Sequence, residues 1–192
     1  MTIASKSSLQ PTRSESRIVL IAPTLAGCHQ AMQLRDGLQP LELWTKEDNL
    51  THISGNTHTV IKGYNGSLAS VVSDCWLQVT QLVFFLPVGA VVRLIAPLLN
   101  HKEQDPGVVA IDDSGRFAVS VSGGHQGGAD VLTRQCAALL GAEPVITSAS
   151  DGQQLPALDL LGIPYGWQRG AGDWTEVASA LARRQPVAVH QT

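Results

Sequence analysis

No hydrophobic run in this sequence is long enough to cross a membrane. The longest, residues 82–86, falls far short of the ~20 apolar residues a spanning helix needs. The N-terminal residues 1–16 are polar and serine-rich and lack an apolar signal-peptide core, so they are expected to form a disordered leader. Basic residues are few: a net charge of −3 and a pI near 6.0 exclude a nucleic-acid surface built on a dense Lys/Arg patch. Cysteines number three, Cys28, Cys75 and Cys136, odd in count and far apart. They fit neither a disulfide framework nor a zinc pattern, which points to a reducing, cytoplasmic setting. The six histidines show no metal-ligand spacing either, so no protein metal site is expected. The Walker lysine and the G-x-G-x-x-G fingerprint are both missing, which leaves nucleotide-phosphate binding unsupported.

What remains is a chain of 192 residues, 44% hydrophobic, able to bury a full core. Strand and helix signals alternate along it. Residues 17–22 read as a buried strand ended by Pro23, 27–38 as a helix, 41–44 as a short strand and 46–57 as a loop. A strand at 58–62, a turn at 63–66 and a helix at 67–79 capped by Ser67 follow. Residues 81–86 read as a strand, 87–89 as a turn and 90–99 as a helix. Strands at 108–111 and 117–121 are joined by Asp112-Asp-Ser-Gly-Arg116 as a β-hairpin. A helix at 129–140 stopped by Gly141, a strand at 144–147, helices at 155–161 and 174–184 and a strand at 187–189 complete the reading. The expected fold is α/β: a small, mostly parallel open sheet flanked by helices, with a second, smaller α/β lobe that carries the hairpin. The division is expected at 103/104, giving an N-terminal part over 17–103 and a central part over 104–192.

The most distinctive stretch is Ser122-Gly-Gly-His-Gln-Gly-Gly-Ala-Asp130, four glycines and a histidine between a strand and a helix. Such a loop exposes N–H groups at the positive end of a helix dipole, which suits an anion. His125 stands in the middle as an acid/base group. A second strand-to-helix turn is Pro87-Val-Gly-Ala-Val-Val-Arg93, and a third, Thr147-Ser-Ala-Ser-Asp151, offers hydroxyls and a carboxylate. In open parallel sheets ligands bind beyond the carboxyl ends of strands, where such turns cluster. The four tryptophans, Trp44, Trp76, Trp167 and Trp174, are expected to pack in the core or at edges.

Four stretches carry a resemblance. Residues 87–99 around Gly89 and Arg93, Asp105-Pro-Gly-Val-Val-Ala-Ile-Asp112, residues 120–130, and Gly141-Ala-Glu-Pro-Val-Ile-Thr147 occur in the same order as in the CbiG family, the cobalt-precorrin-5A hydrolases of anaerobic cobalamin biosynthesis. The resemblance is strongest over 82–151. Gly123 stands where the family commonly has serine, Asp130 where it has asparagine, and Leu86-Pro87-Val88-Gly89 where it has A-T-G. The resemblance implies opening of the ring A δ-lactone of a cobalt-bound corrinoid and release of acetaldehyde. It implies His125 as general base and acid, with Asp130 or Asp151 orienting it. It further implies that Ser122, Gly123, Gly124, Gly127 and Gly128 hold an anionic oxygen, and that Gly89, Arg93, Lys102, Thr147 and Asp151 contact substrate carboxylates. No cofactor is expected on the protein, since cobalt arrives within the corrinoid substrate. Family members commonly carry a further C-terminal domain of about a hundred or more residues. A separate chain of that kind, or a neighbouring pathway enzyme, is therefore an expected partner, and a corrinoid-binding role without catalysis is the alternative.

Overall fold

Ile18-Val-Leu-Ile21 is buried on both faces, the mark of a central strand in a sheet covered by helices on each side. The computed structural model describes residues 17–38, 41–54, 59–101, 104–148, 165 and 172–188. Its elements are β1 (Ile18–Ile21), α1 (Leu25–Gln33), β2 (Leu41–Lys46), a 3-10 helix (Glu47–His52), β3 (Thr59–Tyr64), α2 (Leu68–Trp76), β4 (Gln81–Phe85), α3 (Val88–Ile95), β5 (Gly107–Ile111), β6 (Phe117–Ser122), α4 (Ala129–Leu140), β7 (Glu143–Val145) and α5 (Trp174–Ala182). The strands form one seven-stranded sheet in the order β3-β2-β1-β4-β5-β6-β7. β1 to β5 are parallel to their neighbours, β6 runs antiparallel to β5, and β7 is parallel to β6.

Alternation along the strands builds the two cores. Leu20, Leu43, Val83, Phe85, Val109, Ile111 and Ala118 face α1 and α4, meeting Cys28, Ala31, Leu34, Leu132 and Cys136. Val19, Ile21, Leu82, Phe84, Val108 and Ala110 face the other way, onto Val72, Cys75 and Trp76 of α2 and Val91 and Ile95 of α3. Phe84 and Phe85, neighbours in sequence and both fully buried, each anchor one core. Each contributes about 1.5–3 kcal/mol of burial.

The mostly parallel sheet with its hairpin agrees with the sequence pattern, and it runs on across the division expected at 103/104. β4 and β5 pair directly, Gln81 opposite Gly107, so the hairpin half belongs to the same sheet. Residues 47–52, expected as loop, form a 3-10 helix tied down by Asn49, whose Nδ2 donates to the Pro23 carbonyl at 3.1 Å and to Thr45 Oγ1 at 2.8 Å. That helix packs so closely over Gly63 that a Cβ there would lie 2.6 Å from Leu50. Gly63 is therefore a strand residue at a close contact, not the start of a turn, and β3 runs on to Tyr64. The strand expected at 144–147 spans Glu143–Val145. Residues 187 and 188 carry no strand pairing. The leader at 1–16, the helix at 155–161, Trp167 and residue 189 lie outside the described residues. Trp76 is buried as expected, while Trp44 is half-buried beneath the Lys62 ammonium, 4.9 Å from its ring centroid.

Candidate functional site

Strand direction decides which predicted residues meet. Because β6 runs antiparallel to β5, its carboxyl end lies beside the amino ends of β4 and β5: Ser122 is opposite Val108, and Gly107 opposite Gln81. The 123–128 loop therefore sits at the amino end of the parallel strands. β7 runs with β6, so Thr147 emerges at that same edge. The turn carrying Gly89 and Arg93 follows the carboxyl end of β4 and lies at the opposite edge, where the strand order reverses between β1 and β4. At ~3.3 Å per residue, a five-residue strand puts the two turns roughly 16 Å apart. Arg93 is turned onto its own helix, its Nη1 donating to the Gly89 carbonyl at 3.0 Å. The expected clustering of all the turns is thus corrected to two edges. Lys102 and Asp151 lie outside the described residues.

The glycine loop is closed by its own backbone. Gly123 and Gly128 take φ of +68° and +72°, left-handed values that favour glycine. These turns let Ala129 and Asp130 donate their N–H groups to the Gly123 and Gly124 carbonyls at 3.1 and 3.0 Å. The first two donors of α4, expected to face an anion, are therefore spent inside the loop. The N–H groups of Gly124, Gln126 and Gly127 donate to no acceptor among the described residues. Two further features fix the loop. Gln81 Nε2 donates to the Gly127 and Gly128 carbonyls at 3.2 and 3.1 Å. Gly107 lets the loop approach so closely that a Cβ there would lie 2.3 Å from the Gly127 carbonyl oxygen.

Over this loop stands an imidazole–carboxylate pair. His125 Nδ1 lies 3.7 Å from Asp130 Oδ2, with the two side chains 29% and 10% exposed. The Asp130 carboxylate rests against the Gly124 backbone, where a Cβ would come within 2.8 and 2.9 Å of its two oxygens. Asp130 belongs to the first turn of α4, where the helix dipole favours its negative charge. Its Oδ1 accepts from Ser120 Oγ at 2.6 Å. Of the residues singled out from sequence, Ser122, Gly123, Gly124, His125, Gly127, Gly128 and Asp130 belong to this one loop and its flanks. Gln81 and Ser120 were missed. Gln81 leaves no local signal, because its target is 46 residues away. Ser120 leaves none either: it follows Ala118 on the α4-facing side of β6, and its contact with Asp130 forms only when β6 meets α4.

The fold and this loop define an open-sheet α/β protein with a histidine–aspartate pair seated on a glycine-rich strand-to-helix connection. The family description Cobalamin synthesis G N-terminal matches residues 70–151, and Cobalamin biosynthesis central region matches residues 156–192. The chain is 42% identical over 132 residues to the cobalt-precorrin-5A hydrolase of Priestia megaterium, covering 68% of this chain and 35% of that protein. It is 44% identical over 98 residues to the cobalt-precorrin-5A hydrolase of Salmonella typhimurium, covering 51% of this chain and 28% of that protein. A cobalamin biosynthesis protein G homolog from Sulfolobus solfataricus shares the fold, with a TM-score of 0.51 at 18% identity over 92% of this chain and 50% of that one. The chain belongs to the CbiG family. It spans about a third of the length of the curated relatives it matches.

Proposed function

We propose that this chain acts in anaerobic cobalamin biosynthesis as the hydrolase that opens the ring A δ-lactone of cobalt-precorrin-5A, with loss of acetaldehyde to give cobalt-precorrin-5B. The observation that carries the reading is the His125–Asp130 pair on the glycine loop, within the stretch that matches the curated hydrolases. Lactone opening needs a base for the attacking water and an acid for the alkoxide that departs from the tetrahedral carbon. The carbon–carbon cleavage that frees acetaldehyde needs a proton removed again. One imidazole, able to take up and to give back a proton, serves all three transfers. Asp130 Oδ2 faces Nδ1, which favours the tautomer that carries its proton on that nitrogen. The loop N–H groups of Gly124, Gln126 and Gly127 supply donors for the oxyanion or for a substrate carboxylate. Cobalt enters as part of the corrinoid substrate. Cytoplasmic placement is supported by three buried, unpaired cysteines. Among the described residues no helix is long and apolar enough to cross a membrane.

The test is acetaldehyde release from cobalt-precorrin-5A by the purified chain, alone and mixed with the remaining portion of a family member. His125→Ala should lower turnover by 10²-fold or more, within the range a general acid–base group supplies. Equal release by His125→Ala and wild type would remove His125 from the mechanism. Corrinoid binding with no release in either mixture would refute the hydrolase reading.

A further inference from the structure

We propose that Ser120 is a positioning residue that acts through Asp130 to set which nitrogen of His125 carries the proton; the inference rests on the reading of His125 as the group that moves protons. β6 alternates so that Ala118 and Ser120 point toward α4. A register irregularity follows at once, with Val109 opposite Ser120 and Val108 opposite Ser122, so that β6 carries an extra residue there. A bulge of this kind re-aims side chains at the end of a strand. Here it lies where the strand feeds the glycine loop. Ser120 Oγ donates its single proton to Asp130 Oδ1 at 2.6 Å, the length of a strong hydrogen bond to a carboxylate. The hydroxyl is thereby spent, so Ser120 is not a nucleophile activated by the imidazole.

The other carboxylate oxygen shows what the contact achieves. Asp130 is 7% exposed, and its Oδ2 makes no hydrogen bond within the described residues. That oxygen lies 3.7 Å from His125 Nδ1. A buried carboxylate oxygen without a donor is costly and calls for one. The imidazole Nδ1–H is the donor at hand, and such contacts commonly tighten when the ligand binds. Ser120 on one oxygen and the Gly124 backbone against both hold the carboxylate in the rotation that presents Oδ2 to His125. Without the serine, the carboxylate turns about its terminal torsion, which is broad and roughly two-fold, and the tautomer preference weakens.

The test is the tautomer ratio of His125 in the free chain, read from long-range proton–nitrogen NMR spectra of the neutral imidazole. Wild type should show an excess of the Nδ1–H form. Asp130→Asn should abolish that excess. Ser120→Ala should reduce it, and Ser120→Thr, which keeps the hydroxyl, should restore it. If Ser120→Ala fails to fold, Ser120→Cys, of similar size and a weak donor, takes its place. In turnover, Ser120→Ala should lower kcat by on the order of tenfold with KM nearly unchanged, less than the 10²–10⁴ of the base itself. A wild-type tautomer ratio in Ser120→Ala, with Asp130→Asn shifted, would reduce Ser120 to a structural partner of a buried carboxylate. A ratio unmoved by Asp130→Asn would also overturn the proposal. An intact tautomer pattern with no acetaldehyde released, either by the chain alone or with the remaining portion of a family member added, would remove the hydrolase reading and leave the positioning role standing.

Discussion

Substituting alanine at Gly107 and at Gly89 asks the same question at the two edges of the sheet and should receive opposite answers. At Gly107 the new Cβ would sit 2.3 Å from the Gly127 carbonyl oxygen, 2.9 Å from its carbon and 3.0 Å from the Ala129 nitrogen. All three are backbone atoms of the loop or of the start of α4, so no side chain can turn away to make room. Overpacking of this kind costs about 1–3 kcal/mol. Pushing the loop outward also strains the two Gln81 bonds to the Gly127 and Gly128 carbonyls, each worth about 0.5–1.5 kcal/mol. We expect Gly107→Ala to destabilise the chain by about 2–4 kcal/mol. At Gly89 the only neighbour a Cβ would meet among the described residues, its own helix backbone aside, is Arg93 Nη1 at 3.5 Å, an ordinary contact with the end of a flexible side chain. Gly89 lies in the first turn of α3, so alanine there should stabilise by up to about 1 kcal/mol. Urea unfolding followed by circular dichroism reads both. With a slope of about 1–3 kcal/mol per molar, the Gly107 variant should unfold at least ~0.7 M earlier and the Gly89 variant slightly later. A Gly107→Ala midpoint within about 0.2 M of wild type would refute the packing of the loop against β5.

Two further outcomes follow from the same contacts. Gln81→Leu keeps the bulk but removes both bonds to the loop carbonyls; it should cost about 1–2 kcal/mol and speed amide hydrogen exchange at 124–128 relative to β1, with equal exchange refuting the clamp. Stability should also fall in acid. Burial raises the Glu42 pKa, but hydrogen bonds from Lys62, Arg17 and Trp44 outweigh it and hold the carboxyl below its ordinary value of 4.5. Burial of Asp112 is likewise outweighed by bonds from the Phe117 N–H, the Arg116 side chain and the Arg116 N–H, which hold it below 3.8. Groups lowered on folding stabilise the native state above their unfolded pKa, and that contribution is lost as pH falls through the folded value. Unfolding free energy should therefore decline from about pH 4.5 downward, and Glu42→Gln should flatten the upper part of that decline; an unchanged slope in the variant would refute the assignment.

The sheet was legible because burial on both faces leaves continuous apolar strands, and the helices because Ser67, Gly141 and the glycine loop punctuate them. The hairpin was equally plain from Asp112-Asp-Ser-Gly-Arg116, whose first carboxylate accepts from the Arg116 and Phe117 N–H groups at 2.8 Å each. The 3-10 helix at Glu47–His52 was not legible, because it is held by Asn49 reaching Pro23 and Thr45 rather than by any periodicity of its own. At the site, His125 and Asp130 stand five residues apart in one loop and were visible together. Ser120 and Gln81 act through contacts that exist only once β6 meets α4 and β4 meets the loop.

The turn at 112–116 also decides which predicted residues lie at the same end of the strands. Had the chain crossed over to a parallel strand after β5, the glycine loop would have emerged beside Pro87, Gly89 and Arg93, at the edge where open α/β sheets usually bind ligands. The five-residue reversal instead delivers His125 to the amino ends of β4 and β5. The full length of β4, roughly 16 Å of strand, then separates it from the α3 turn. Proton transfer needs heavy atoms within about 3.2 Å, directly or through one water, so Arg93 and His125 cannot serve the same reacting bond within this chain. In the proposed reaction, the donors that the described residues offer to an oxyanion beside His125 come from its own edge, the loop N–H groups above all. The same reasoning explains why Asp130, rather than a residue of the β1–β4 crevice, is the carboxylate at the imidazole. Both belong to the segment the hairpin carried across.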